Sequence, residues 1–212
     1  MFRDSYPPAD CDPDRPSPEL LEWAYCNGVF PMGEPGSNEL TWYSPDPRAI
    51  FPLDAFHVPV NLARVIRSGR FDVRIDTAFV EVVRECAQPR RDEAETWITP
   101  QIIASYTELH RRGNAHSVEA WRDDVLVGGL YGVTFGGAFF GESMFSRPTL
   151  GGRDASKVCL VALVRRLRDR GYELLDTQFK TDHLAQFGCV EISREAYLQR
   201  LRGALDVVRQ FN

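Results

Sequence analysis

The sequence predicts an α+β protein, and three observations point there: a run of sheet-forming segments in the middle of the chain, amphipathic helical segments before it, and a helix followed by a strongly apolar strand after it. The middle segments read as an antiparallel meander. His116-Ser117-Val118-Glu119-Ala120-Trp121 turns at Arg122-Asp123-Asp124 and returns as 125–133, and a further strand runs from Ala138 to Phe145. At 212 residues, 43% hydrophobic and 26% charged, the chain can bury one sizeable core, or one core plus a small appended domain. It carries no internal repeat, heptad run or low-complexity tract, which excludes solenoid and fibrous architectures.

Taken in order, a Pro-rich acidic arm runs to Pro16. Ser17 caps a short helix with Pro18 in its first turn, and Asn27-Gly28 ends it. Turn-rich segments follow at 30–36 and 44–48, with Trp42, Tyr43 and Phe51 as packing anchors. Residues 1–60 are read as a small N-terminal domain and residues 61–212 as the main one. From Val60 a helical patch (Leu62, Val65, Ile66) ends at Gly69, and 71–75 alternates apolar with charged residues as a half-buried strand does. Asp76 or Thr77 can cap a helix carrying Phe79, Val82 and Val83, which Pro89-Arg90-Arg91-Asp92-Glu93 breaks.

Thr99 and Pro100 suit the start of the next helix, whose Ile102, Ile103, Tyr106, Leu109 and His110 form one stripe and which Gly113 stops; His110 is read as structural. Beyond the meander, a helix from about 155 to 170 turns Val158, Val161, Val164 and Leu167 inward and its arginines outward, stopping at Gly171. A buried strand over 173–179 comes next, then helices near 182–187 and 194–207. The whole is a mixed sheet flanked by helices.

No apolar run approaches the roughly 18 residues that cross a bilayer, and the N-terminal residues contain no apolar signal core, so a cytosolic protein without membrane partners is expected. Cys11, Cys26, Cys86, Cys159 and Cys189 are irregularly spaced, with no C-x-x-C pair and no neighbouring His in a ligand pattern. They read as reduced thiols, the last three in the core. The net charge of -5 argues against indiscriminate nucleic-acid binding. Charge is uneven, however: residues 1–60 hold three arginines against ten acids, whereas 141–170 hold Arg147, Arg153, Lys157, Arg165, Arg166, Arg168 and Arg170 against three acids, which leaves room for a local anion site.

The chemistry concentrates between Gly141 and Gln178. The apolar Ala138-Phe139-Phe140 runs into Glu142, and Leu174-Leu175 runs into Asp176 and Gln178, which puts acids and an amide beside a core where burial shifts pKa values. Strict alternation places Asp176 and Gln178 on one side of their strand roughly 7 Å apart, and Phe140, Glu142 and Met144 on one side of theirs. Two acids and an amide then meet at neighbouring strand ends. The residues alone equally admit a structural reading, with Glu142 paired to Arg147 or Lys157 and Asp176 capping a helix near Thr181.

Seven strings in order resemble the leucyl/phenylalanyl-tRNA-protein transferases: Gly28-Val29-Phe30-Pro31, Ser44-Pro45-Asp46-Pro47-Arg48, Trp97-Ile98-Thr99, the segment 116–121 with the run Leu126-Val127-Gly128-Gly129-Leu130-Tyr131-Gly132-Val133, Gly141-Glu142-Ser143-Met144-Phe145-Ser146, Ala155-Ser156-Lys157, and Asp176-Thr177-Gln178-Phe179. The resemblance spans about residues 18 to 202. It implies a bacterial cytosolic enzyme that moves Leu, Phe or, less well, Met from aminoacyl-tRNA to proteins with N-terminal Lys or Arg, marking them for degradation. It implies a C-terminal domain like that of GNAT-type N-acetyltransferases, and no metal or coenzyme A. On the family's pattern Asp176 and Gln178 form the catalytic pair and Glu142 holds the aminoacyl-adenosine end. Before Ser17 the chain lacks the Gly-rich apolar segment of many relatives, Met32 stands where many have Trp, and the loop 147–154 is longer than in many.

That reaction is ester aminolysis and needs little covalent help. An α-amine with a pKa of about 7.7 to 8 is partly neutral at cellular pH, so positioning supplies much of the acceleration. Gln178 cannot titrate, so Asp176 is the expected base if a protein base exists, unless it serves to attract the acceptor's cationic side chain. Candidates for the donor pocket are Trp42, Trp121, Met144, Phe145, Ser146, Leu163 and Leu167, each equally suited to a core. Lys157, Arg165 and Arg166 are candidates for tRNA phosphates. A monomer is expected. The rival readings are a coenzyme A-dependent acetyltransferase, whose Arg/Gln-x-x-Gly-x-Gly/Ala loop is not matched by Arg-x-x-x-Gly-Gly at 147–152, and a non-catalytic adaptor for tRNA or basic N-termini.

Overall fold

The computed structural model of the protein describes residues 16–37, 39–89 and 96–212. The expected acidic arm before Pro16, Cys11 and the Arg90 to Glu93 part of the expected helix break lie outside the described residues. The first helix, α1 (Pro18–Cys26), begins where Ser17 accepts the Leu20 N–H at 3.1 Å and ends before Gly28, whose φ of 74° reverses the chain.

The segments read as turns are partly extended. β1 (Phe30–Gly33) pairs antiparallel with β2 (Leu40–Tyr43) as a separate hairpin, and β3 (Arg48–Phe51) enters the main sheet. Pro and Gly within β1 and beside β3 hid strands only four residues long. The α-helices of the remaining described residues are α2 (Val60–Arg67), α3 (Phe79–Cys86), α4 (Pro100–Arg111), α5 (Ala155–Asp169), α6 (Asp182–Ala185) and α7 (Arg194–Leu205). The strands are β4 (Asp72–Ile75), β5 (Ala115–Arg122), β6 (Val125–Phe135), β7 (Ala138–Ser146), β8 (Leu174–Gln178) and β9 (Val190–Ile192), the last of which the sequence reading did not anticipate.

The main sheet has seven strands in the order β4-β5-β6-β7-β8-β3-β9, antiparallel throughout except where β7 and β8 run parallel. The expected meander is β5-β6-β7. Because β3 lies between β8 and β9, residues from both sides of the expected division at 60/61 share one sheet. β4 is an edge strand and more open than half-buried alternation suggests, with Val73 36% exposed.

Each sheet face carries its own core. Leu21 and Tyr25 of α1, Val82 of α3, Ile102 and Tyr106 of α4 and Leu201 of α7 cover one face; Leu62 of α2 with Val161 and Leu167 of α5 cover the other. Each such buried aliphatic contributes about 1.5–3 kcal/mol, and the helical spacing seen in the sequence is the record of these two contacts. α5 lies tight on β6: a Cβ at Gly128 would fall 2.5 Å from Ala155 Cβ, so any side chain there would push the helix off the sheet. His110 is structural, its Nδ1 donating to the Ala115 carbonyl at 2.8 Å and its ring stacked on Phe79. Cys86, Cys159 and Cys189 are buried thiols.

The start of α3 is not capped by Asp76 or Thr77. Asp76 adopts a left-handed φ of 56° and turns its carboxylate to the Ser117 N–H and to His116. Glu119, fully buried on β5, instead holds the residues that lead into the helix, accepting the N–H groups of Thr77 and Ala78, each at 2.9 Å, as well as the Ser117 hydroxyl. A contact supplied from a neighbouring strand leaves no local sequence signature.

Candidate active site

β7 and β8 pair only from Ala138 and Leu174 to Phe140 and Asp176. Beyond that point Gly141 to Met144 and Thr177 to Phe179 line a cleft of about 420 Å³. Its remaining lining is mainly apolar, from Phe30 and Met32 of β1, Trp97, Leu160 and Leu163 of α5, and Leu184 of α6. Two of the polar groups named from the sequence, Glu142 and Gln178, therefore line an apolar cleft just beyond the point where two parallel strands lose their pairing.

Glu142 reaches this position through a register slip. Between Tyr131 and Gly132 the β6–β7 pairing shifts by one residue, with Gly132 opposite Gly141 and Tyr131 opposite Ser143, which leaves Glu142 as the extra residue. The expected common side for Phe140, Glu142 and Met144 is therefore corrected: Phe140 packs in the first core and Met144 against the second. Glu142 Oε1 accepts the Tyr25 hydroxyl at 2.7 Å and Oε2 the Tyr106 hydroxyl at 3.4 Å. Tyr25 and Tyr106 also bond each other through their hydroxyls. Glu142 keeps part of its surface open to the cleft, yet protein packs densely around it. That desolvation raises its pKa to about 8, against the opposing hydrogen bond from Tyr25. Burial, reinforced by Glu142, holds both phenols well above their usual value, so they remain donors.

Asp176 is placed differently. It is fully buried and does not line the cleft. Oδ1 accepts Arg48 Nε at 2.9 Å and the Gln178 N–H at 2.9 Å; Oδ2 accepts Arg48 Nη2 at 2.6 Å and the Tyr197 hydroxyl at 2.9 Å. Arg48 is itself buried, donates Nη1 to the Gly28 carbonyl at 3.0 Å, and lies between the rings of Phe30 (4.8 Å) and Tyr197 (4.5 Å). Burial disfavours its charge, but the adjacent Asp176 carboxylate more than offsets this and holds the guanidinium pKa above its ordinary value.

Gln178 departs from strand geometry. Its φ is 57°, and the β3–β8 register slips so that Gln178 faces Ala49 while Asp176 faces Ile50. Plain alternation thus ends before Gln178, and the expected i, i+2 relation between the two side chains does not hold. The Asp176 carboxylate holds the Gln178 N–H in this turn, and Gln178 Nε2 donates to Glu142 Oε1 at 3.4 Å. The structural alternative from the sequence also fails: Arg147 pairs with Glu85, Lys157 with Asp154 at 3.0 Å, and Thr181 caps α6 with its own hydroxyl.

Of the residues proposed for the donor pocket, Met144 and Leu163 line the cleft. Leu167 is fully buried in the second core, one turn too far along α5. Trp42 packs half-buried against the first core, and Trp121, under the Arg74 guanidinium, donates to Glu119 at 3.3 Å; neither lines the cleft. Phe145 and Ser146 line a second hollow that shares Met144 and His183 with the cleft, and Ser146 bonds Ser156 across it at 3.0 Å. Arg165 is exposed, whereas Arg166 is engaged with the chain beyond α7, donating Nε to the Phe211 carbonyl at 2.7 Å. Among the described residues no group of three or more His, Cys, Asp or Glu side chains is placed to hold a metal ion.

The sequence reading missed Arg48, Tyr25, Tyr106 and Tyr197. Arg48 had a signal: an arginine opening the apolar run Ala49-Ile50-Phe51 must be paired when that run is buried. The tyrosines lie on inward helical faces, where sequence gives their burial but not the aim of the hydroxyl.

Comparison with known proteins agrees with the motifs. The family model for leucyl/phenylalanyl-tRNA protein transferase matches residues 50–202, and the model for the N-terminal domain of the same family matches residues 14–46. The leucyl/phenylalanyl-tRNA–protein transferase of Salinibacter ruber is 55% identical over 195 residues, covering 92% of this chain and 83% of its own. That of Gloeobacter violaceus is 54% identical over 195 residues, covering 92% and 97%. Among solved structures, L-PGS from Bacillus licheniformis is similar over 87% of this chain and 62% of its own, at 12% identity and a TM-score of 0.39. The PaiA N-acetyltransferase of Thermoplasma acidophilum is similar over 48% and 75%, at 13% identity and a TM-score of 0.35.

Proposed function

This chain belongs to the leucyl/phenylalanyl-tRNA–protein transferase family, and from that membership we propose that it moves Leu, Phe or, less well, Met from aminoacyl-tRNA to the α-amine of proteins with N-terminal Lys or Arg, marking them for degradation in the cytoplasm. The observation that carries the site assignment is the Glu142–Gln178 pair in the wall of an apolar cleft.

In this reading the donor's Leu or Phe side chain lies among Met144, Leu163 and Leu184, and the ester is presented to Glu142 and Gln178. The acceptor amine attacks the ester carbon, the carbonyl electrons move to oxygen, and collapse of the tetrahedral intermediate expels the ribose oxygen. The proton released by the amine ends on that leaving oxygen. Gln178 orients the amine. Glu142 is the carboxyl group among the cleft-lining residues, and a pKa of about 8 suits it to holding the donor and to exchanging a proton near neutrality. Asp176, with both oxygens occupied, orients: it fixes the Gln178 backbone and neutralises Arg48. Lys157 and Arg165 remain the candidates for tRNA phosphates.

The test is transfer of radiolabelled Leu from Leu-tRNA to an Arg-starting peptide by the purified protein. Formation of the Leu-Arg peptide is expected. Acetyl-CoA turnover without transfer, or binding of tRNA and peptide without transfer, would overturn the reading.

A further inference from the structure

The hydroxyl of Tyr131 belongs to none of the bonds described so far. Tyr131 lies on β6, lines the cleft and is fully buried, and its hydroxyl oxygen has no hydrogen-bond partner among the described residues. Leaving a buried hydroxyl unpaired costs stability, so its retention in a wall of the cleft calls for a partner that arrives from outside.

Its surroundings indicate which kind. Tyr131 sits opposite Ser143, at the register slip that produces the Glu142 bulge, and its ring meets the Tyr106 ring edge-on at 5.7 Å. Four other donors at the site are already engaged: the Tyr25 and Tyr106 hydroxyls with Glu142, Gln178 Nε2 with Glu142, and the Arg48 guanidinium with Asp176 and Gly28. Burial, and then the Glu142 charge, hold the Tyr131 phenol well above its usual pKa, so it stays a neutral O–H donor. Aminolysis of an ester develops negative charge on one oxygen, and a fixed donor shielded from water stabilises such a charge best.

We propose that the Tyr131 hydroxyl donates a hydrogen bond to the ester carbonyl oxygen of the bound aminoacyl group, a bond that strengthens as that oxygen becomes the oxyanion. No proton is transferred to it. The carbonyl electron pair moves to oxygen on attack, returns on collapse, and the phenolic O–H remains intact throughout. This rests on the transferase reading above.

The experiment is Tyr131→Phe, which deletes the hydroxyl and preserves the ring. Steady-state transfer of Leu from Leu-tRNA to an Arg-starting peptide is measured beside thermal unfolding, with the parent protein in the same assay. The expected result is a kcat lower by roughly 10- to 1000-fold, with KM for Leu-tRNA changed less than about threefold. The Tm should be equal to or above that of the parent, because the hydroxyl lost has no partner in the fold. Parent-like kinetics would overturn the proposal, and so would a fall in activity that tracks a fall in Tm. Absence of transfer by the parent itself would instead refute the transferase reading.

Discussion

Arg48 and Asp176, 128 positions apart in the chain, meet as a forked ion pair closed to solvent, Nε to Oδ1 at 2.9 Å and Nη2 to Oδ2 at 2.6 Å. The pair ties the strand after the N-terminal hairpin to the strand that carries the site. It also holds, through Asp176 Oδ1, the N–H of the residue that reaches the cleft.

Removing one partner leaves the other charge buried and alone. Arg48→Met should destabilise the protein by about 3–5 kcal/mol, measured by urea unfolding. The double variant Arg48→Met, Asp176→Leu should recover part of that loss while remaining inactive in transfer. Equal stability of the single variant and the parent would show that the pair contributes nothing.

Glu142 supplies a pH dependence of known sign. Its folded pKa, raised to about 8, lies above the ordinary value of 4.5, so the folded protein binds the extra proton between those limits. Its contribution is full below about pH 4.5 and is lost as pH rises through about 8. Comparing Tm between the parent and Glu142→Gln from about pH 5 to pH 9 should show the parent losing ground steadily to the variant.

Gln178 can be separated from its own backbone. Gln178→Gly removes the amide yet suits the left-handed φ of 57° better than any side chain does. Stability should hold or rise by up to about 1 kcal/mol, while transfer falls by roughly 100-fold or more. A variant with parent-like kcat would remove Gln178 from the reaction.

Glu119 on β5 anchors the entry to α3. Glu119→Ala leaves the Ser117 hydroxyl and the N–H groups of Thr77 and Ala78 without their acceptor and should cost about 1–3 kcal/mol in chemical denaturation. Hydrogen exchange of the first turn of α3 should accelerate more than that of α4, whose Thr99 cap is local.

Much of this arrangement was legible because it is periodic. The inward stripe of α4, the valines of α5 and the meander from Ala115 to Ser146 each repeat at the spacing of their secondary structure. Ser17, Thr99 and Gly28 mark ends because their chemistry is local. What failed to show is what breaks the period or acts at a distance. Strands of three or four residues carry few positions to establish alternation; β4 shows it together with the preceding Phe71, whereas β1, β2, β3 and β9 stayed concealed. The slips at Glu142 and Gln178 invert side-chain facing without changing a residue type. The motif order named Glu142, Asp176 and Gln178 together; only the folded geometry separates the one buried with Arg48 from the two that meet at the cleft.

The place of β3 between β8 and β9 has a consequence for biosynthesis. Arg48 leaves the ribosome 128 residues ahead of Asp176. At ordinary translation speeds this is a wait on the order of 10 s, during which the arginine has no carboxylate to meet and its strand no neighbours to join. The site is among the last regions to assemble. A nascent chain halted before β8 would carry the whole meander and both aromatic partners of Glu142, yet could not attach an amino acid to anything.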